Sequence, residues 1–366
     1  MTKNILTNDQ LSLKVYDSIS RILEKDWIDL TTRQDTFVQS HCEWIKAWSD
    51  VKKLSGKLHI VTIYCEGKIV GIAPFKLEKS LFGNTLQSIP IHFGDFISFI
   101  SISSMREKVL SEITRYLLSY KSWSFIKVDN VCSDDYLYKH LEQCNLHKKS
   151  LSKAHIVGFG GYTFDEYLMS LSKNRRNKTN KQIRQLKKSG ELSFEVVEDF
   201  TNYESHFDEM RGVYVSRWGK DISEDIYQYR NTALKGLFPK GNVKLFILKL
   251  DGKMVAYHLG FVFNGNFYSW KEAAHAEFAN YSAGNMMRVF FIPEYLIEHD
   301  IDGINFMAGD YDYKSNRVGE DGRIENISAF YLGKGVYGKV LQNYYLVYRD
   351  ELKKIKTWLT RFRNKI

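Results

Sequence analysis

The sequence has little from which to build a metal or redox centre. Its four cysteines, Cys42, Cys65, Cys132 and Cys144, include no C-x-x-C pair. Neither a zinc site nor a dithiol centre is therefore expected, and the thiols read as reduced and mostly buried. Proline is equally scarce, at four in 366 residues; with 44% hydrophobic and 26% charged residues this excludes a proline-rich linker or a disordered chain. No apolar run approaches the roughly 18–20 residues of a membrane span, and the opening MTKNILTNDQLSLKVYD lacks the charged and apolar regions of a signal peptide. The expectation is a cytoplasmic protein.

What is present is size and unevenly placed charge. A chain of 366 residues exceeds what one core usually holds, so two domains are expected. The net charge is +9, but two short segments carry more than all of it. Residues 171–190 contain eight basic side chains and no acid, and residues 339–366 contain eight against Asp350 and Glu351. The body is thus mildly acidic with two basic attachments, which disfavours a nucleic-acid coat. Anionic partners remain open: a nucleotide or pyrophosphate, an acidic carbohydrate, a nucleic acid, or the cytoplasmic face of an anionic membrane. Read as one continuous helix, FDEYLMSLSKNRRNKTNKQIRQLKK places Leu168, Leu171, Ile183 and Leu186 on one stripe, with Arg175 near its middle and Arg176 at its margin. A guanidinium pointing inward needs a carboxylate or a bound anion, so Arg175 is a better ligand candidate than the outward lysines.

An internal repeat organises the rest. Glu66-Gly67-Lys68-Ile69-Val70 matches Asp251-Gly252-Lys253-Met254-Val255, and each lies between two strand-like apolar runs. Acid-Gly-Lys between such runs reads as a tight hairpin. After the first come a helical stretch near residues 104–120 and the strand SFIKVDN. After the second come NFYSWKEA, a helical stretch near 285–299, and the strand GINFMAG. Two copies of one mixed α/β unit are the economical reading.

These residues resemble the GNAT acyltransferase superfamily in its tandem form, close to the CelD/BcsL-like branch and more distantly to the FemAB-like peptidoglycan transferases. Trp27, Phe37, Trp44 and Trp48 look like the family's opening pattern, and LSKNRRNKTNKQIRQLKKSG is similar to its basic helix. Tyr281-Ser282-Ala283-Gly284 resembles a Y-S-P-G turn, and the segment from Phe306 to Lys314, FMAGDYDYK, resembles a strand end followed by G-D-x-x-Y-K. Ala283 stands where proline is usual, and His275 where an acid is common. The resemblance implies a mixed α/β (α+β) fold of two tandem GNAT-like domains, each a largely antiparallel mixed sheet flanked by helices. The corresponding boundaries are 1–155, 156–340 with the acyl-CoA site, and a basic amphipathic helix at 341–366. That tail, with Leu346, Leu352, Ile355, Leu359 and Phe362 at helical spacing, either caps the second domain or makes peripheral contact with the anionic inner face of a membrane.

The resemblance also implies the chemistry. Acetyl-CoA or another acyl-CoA is the expected donor, with no metal, and the acceptor is a small-molecule amine, for example that of an amino-sugar nucleotide or a surface-polysaccharide precursor. The pyrophosphate is expected at Tyr281, Ser282, Ala283, Gly284 and Asn285, where a small flexible loop opens a helix. The thioester is expected along the strand near residues 267–271, with Trp270, Glu272, Arg175 and Arg176 on the substrate side. Asp310, Glu272 and His275 are the candidate proton acceptors, Asp310 first; Tyr313 would protonate the leaving thiolate, and Lys314 would bind an anionic or carbonyl group. A sugar-like amine of pKa about 8 costs only about 1.4 kcal/mol to neutralise at pH 7, so positioning outweighs a strong base. GNTLQSIPIHFGDF in the first half lacks both motifs, so one site per chain is expected. Two other readings remain open: a FemAB-like aminoacyl transferase using charged tRNA, and a non-catalytic anion-binding protein of the same fold.

Overall fold

A computed structural model describes residues 3–6, 11–33, 37–54, 56–89, 96–119, 122–309 and 322–348. In chain order these form β1 (Lys3–Leu6), β2 (Leu11–Tyr16), α1 (Arg21–Arg33), α2 (Cys42–Val51), β3 (Leu58–Cys65), β4 (Lys68–Glu78), β5 (Thr85–Ser88), β6 (Ile100–Ser101), α3 (Arg106–Ser119), β7 (Phe125–Cys132), α4 (Tyr136–Glu142) and β8 (His147–Gly158). There follow α5 (Phe164–Ser170), α6 (Lys173–Ser189), β9 (Leu192–Val197), α7 (Phe200–Ser205), α8 (Phe207–Trp218), α9 (Glu224–Leu237), β10 (Val243–Leu250), β11 (Lys253–Phe263) and β12 (Asn266–Ala274). The last elements are α10 (Ala283–Met286), a π-helical turn (Met287–Phe291), α11 (Ile292–Glu298), β13 (Gly303–Ala308), β14 (Gly322–Gly333) and α12 (Gly335–Asn343), which runs into a second π-helical turn (Tyr344–Tyr348). No helix among the described residues is long and apolar enough to cross a membrane.

Packing divides the chain into two compact units that are not contiguous in sequence. Unit 1 comprises Met1–Gln34, Lys52–Leu151 and Asn326–Ile366; unit 2 comprises Asp35–Val51 and Ser152–Glu325. This differs from the contiguous 1–155, 156–340 and 341–366 division by two exchanged segments. The aromatics that read as one opening pattern are split accordingly, Trp27 lying in unit 1 and Phe37, Trp44 and Trp48 in unit 2. The cause is side-chain packing: Trp44, with no exposed surface, stacks edge-on against Tyr229, Phe261 and Trp270, all in unit 2.

In unit 1 the strands order β1-β2-β3-β4-β5-β7-β14, with β6 on β4. Pairing is antiparallel except between β5 and β7. The Glu66-Gly67 hairpin is present, both residues having positive φ (48° and 79°), as a two-residue turn matched to strand twist demands. Its core gathers Val61, Phe75, Val109, Ile113, Val128 and Phe330. Asp135 caps α4, accepting from the Leu137 N–H at 2.7 Å, and burial pushes its carboxyl up to about 6. A raised carboxyl pKa means that the folded state holds the proton more tightly than the unfolded one, so stability falls as pH rises from about 4 through 6. Asp135→Asn keeps an accepting cap without the buried charge. It should raise unit 1's stability at pH 7 by about 1–2 kcal/mol, and the gain should vanish below about pH 4 in thermal melts; a gain independent of pH would refute the electrostatic cause.

In unit 2 the order is β8-β13-β12-β11-β10-β9, antiparallel except between β12 and β13. The Asp251-Gly252 hairpin repeats the first, with φ of 50° and 75°. The repeat extends to a register shift just before the turn in each copy, at Ile63/Tyr64 and at Leu248/Lys249. One expectation fails: residues 164–188 are not one helix. Leu171 is extended (ψ 148°), and Ser172 starts a new helix by accepting from the Arg175 N–H at 3.4 Å. The stripe predicted across both halves is therefore formed by two helices, with Ile183 and Leu186 buried from α6 and Leu168 and Leu171 packed beside them.

Candidate functional site

The site of interest forms where two parallel strands of unit 2 part. β12 pairs with β13 only at Asn266, Phe267 and Tyr268, opposite Gly303, Ile304 and Asn305, yet both strands run on. Each has a local cause for diverging. On β12 the pairing to β11 shifts register between Leu259 and Gly260, so that one residue, Trp270, is bulged, which bends a strand and increases its twist. On β13 the buried Asn305 side chain accepts from the Met307 N–H at 2.8 Å, and Met307 takes a positive φ of 52°.

Ser269 is the first residue of β12 past the last paired position. Its hydroxyl lies 2.6 Å from Nε2 of His258 on β11, a side chain with only 1% exposure. The other imidazole nitrogen, Nδ1, is 3.5 Å from Oε2 of Glu272, and Oε1 of Glu272 is ion-paired with Nη1 of Arg288 in the π-helical turn. The carboxylate orients the ring so that Nδ1 carries the proton and Nε2 accepts from Ser269. Four side chains from β11, β12 and the helix thus form one polar line ending at the parted strands. Such π turns recur at functional sites because they re-aim a side chain.

The expected pyrophosphate turn is next to this line. Ser282 adopts φ 55° and starts α10, Ala283 is fully buried, and a Cβ on Gly284 would make only ordinary contacts, 3.6 Å from Ala274 and 3.7 Å from Arg288 Nη1. Ala283 therefore offers only its backbone. Tyr281 bonds through its hydroxyl to Ser189 at 3.1 Å, and the Asn285 N–H donates to Ser282 O at 2.8 Å. Arg175 is half-buried on α6; its guanidinium pKa is lowered by desolvation and then by the positive charge of Arg288. Two guanidiniums near one helix start fit a phosphate-bearing ligand.

Other expected residues are engaged elsewhere. Arg176 donates to the carbonyls of Leu168, Met169 and Leu171, closing the end of α5, so it is a helix cap rather than a substrate ligand. Trp270 is a core side chain, 6% exposed and packed on Trp44 and Phe261. His275 caps the turn after β12, its Nδ1 accepting from the Glu277 N–H at 3.4 Å. Glu272 joins the site as the holder of His258 and Arg288 rather than as a free base. Asp310, Tyr313 and Lys314 lie outside the described residues.

His258, Ser269 and Arg288 were not singled out by sequence. A signal existed for two: His258 interrupts the apolar strand AYHLGFVF, and Arg288 interrupts MMRVFF. A lone polar group in a buried run requires a partner. Nothing in NFYSWKEA distinguishes Ser269.

Residues 173–315 match the acetyltransferase (GNAT) domain family, a span lying wholly within unit 2. No curated protein matches the chain in sequence. Among solved structures, FemX is similar at 15% identity and a TM-score of 0.59, over 90% of this chain and 99% of that one. The C-terminal domain of a protein assigned as a lysylphosphatidylglycerol synthetase from Agrobacterium fabrum is similar at 12% identity and 0.54, over 84% and 90%. A protein of unknown function from Bacteroides thetaiotaomicron gives 12% and 0.51, over 86% and 98%. At these identities the likeness is one of fold. Residues 173–315 are therefore similar to a GNAT acetyltransferase domain, within a mixed α/β fold of the kind seen in FemX.

Proposed function

We propose that unit 2 transfers an acyl group from acetyl-CoA or another acyl-CoA to the amine of a small phosphate-bearing acceptor, such as an amino-sugar nucleotide or surface-polysaccharide precursor. The carrying observation is the parting of β12 from β13 at Ser269, with His258, Glu272 and Arg288 behind it. Beyond Tyr268, β12 presents backbone groups that are not paired to β13, a surface on which a thioester carbonyl can be held and polarised. As the amine attacks, its proton passes to the Ser269 oxygen while the Ser269 proton moves to His258 Nε2. Glu272 stabilises the imidazolium so formed, and the proton returns to the departing thiolate. Arg175 and Arg288 hold phosphate.

The test is thiol release from a panel of acyl-CoAs with amine acceptors. Arg175→Ala should raise the KM of the phosphate-bearing substrate about tenfold or more, because a half-buried guanidinium makes charge-assisted bonds. Lys181→Ala, on the exposed face of α6, should change it less than about twofold. Equal effects would mean diffuse charge steering, and no thiol release with any pair would end the reading.

A further inference from the structure

Unit 1 carries an apolar surface that its own core does not use. At the tip between β4 and β5, Leu81 is 99% and Phe82 77% exposed. Beside them α12 presents Val336 at 85% and Val340 at 60%, one helical turn apart, and the following π-helical turn adds Val347 at 58% and Tyr348 at 59%. The two elements form one surface: Phe82 and Tyr337 have ring centroids 6.2 Å apart, and the Ser80 hydroxyl donates to the Tyr337 hydroxyl at 3.4 Å. The opposite side of the helix is already satisfied, Leu341 and Tyr345 packing against Phe125 and Tyr331. Helix α12 is therefore apolar on two faces, of which unit 1 covers one. Soluble proteins seldom expose apolar side chains in such a group unless something docks there.

We infer that this surface is a docking site for an anionic lipid bilayer. Shape and charge together identify the occupant. Leu81 and Phe82 form a projecting tip with exposed Lys79 on its flank, and exposed Lys339 lies between Val336 and Val340 on the helix. The chain after α12 continues into residues 349–366, which hold seven basic residues against two acidic ones, with Trp358 and Phe362 among them. Apolar side chains that enter the interfacial layer and cations that remain among anionic headgroups are the two ingredients of peripheral membrane binding. A protein partner would need a matching hollow; a bilayer accepts a projecting tip. The inference does not depend on the acyl-transfer reading.

Full-length protein should sediment with phosphatidylcholine vesicles containing about a third phosphatidylglycerol at physiological salt, and not with phosphatidylcholine alone. Leu81→Ser with Phe82→Ser should weaken that partition about tenfold or more with little change in melting temperature, since both side chains are largely exposed and Phe82 meets only Tyr337. Three results would overturn the assignment. The wild type could ignore both vesicles. The double variant could bind as the wild type does. Or the double variant could lower the melting temperature or abolish a concentration-dependent dimer without any vesicle binding, giving the surface to residues 349–366 or to a second copy.

Discussion

Trp44→Ala should destabilise unit 2 by about 3–5 kcal/mol, the usual cost of emptying a fully buried tryptophan site, and should lower its melting temperature by roughly 10 °C. Trp44 is close to the start of the chain, 185 residues or more from the aromatics it contacts in unit 2, so a contiguous reading of the domains places the damage in the other half. Its ring meets Tyr229 at 5.5 Å, Phe261 at 5.6 Å and Trp270 at 5.1 Å, each edge-on. Nearby, Glu43 pairs with Lys240 at 2.8 Å and fastens the same helix. Hydrogen exchange checks the result directly. Amides of α9, β11 and β12 should lose protection while those of β3, β4 and β7 keep theirs; loss confined to the latter would return α2 to unit 1.

The second large effect concerns the polar line. Ser269→Ala should lower kcat by about a hundredfold, with the donor KM within about threefold, because general-base assistance contributes in that range and the serine acts only as the proton leaves. Higher pH should partly rescue the variant, since an amine of pKa about 8 is then already neutral. Glu272→Gln should be worse in a different way. It releases His258 and at the same time leaves the half-buried Arg288 without its carboxylate, so it should lower the melting temperature as well as kcat, costing about 2 kcal/mol after allowance for solvent. A Ser269→Ala enzyme of undiminished kcat at neutral pH would remove the relay, leaving the proton to solvent.

The repeat, the two hairpins and the mixed class were legible because they depend on local signals. Acid-Gly at 66–67 and 251–252 can reverse a chain whatever surrounds it, and the apolar runs on each side have only a strand to form. The basic character of 173–189 is equally local, as is the small-residue turn at 281–285. Arg175 was picked out on a helix assumed continuous. It is half-buried for another reason, since Ser172 restarts the helix and the packing of α6 brings it to Arg288.

What tertiary structure alone decided was which partner each residue met. Trp270 and Ser269 are adjacent in one strand, and the first packs into the aromatic core while the second meets His258 where the strands part; composition carries no trace of that. Arg176 and Arg175 are adjacent on one helix, and α5 takes the first as its cap while Arg288 faces the second. The exchange of α2 and β14 between the units follows from long-range burial of Trp44 and Phe330, whose side chains are equally apolar in either core. Sequence thus determined the elements, because hydrophobic period and turn chemistry act over a few residues. Only the fold decided the site, because a line from Ser269 through His258 and Glu272 to Arg288 exists only once two strands and a helix have packed together.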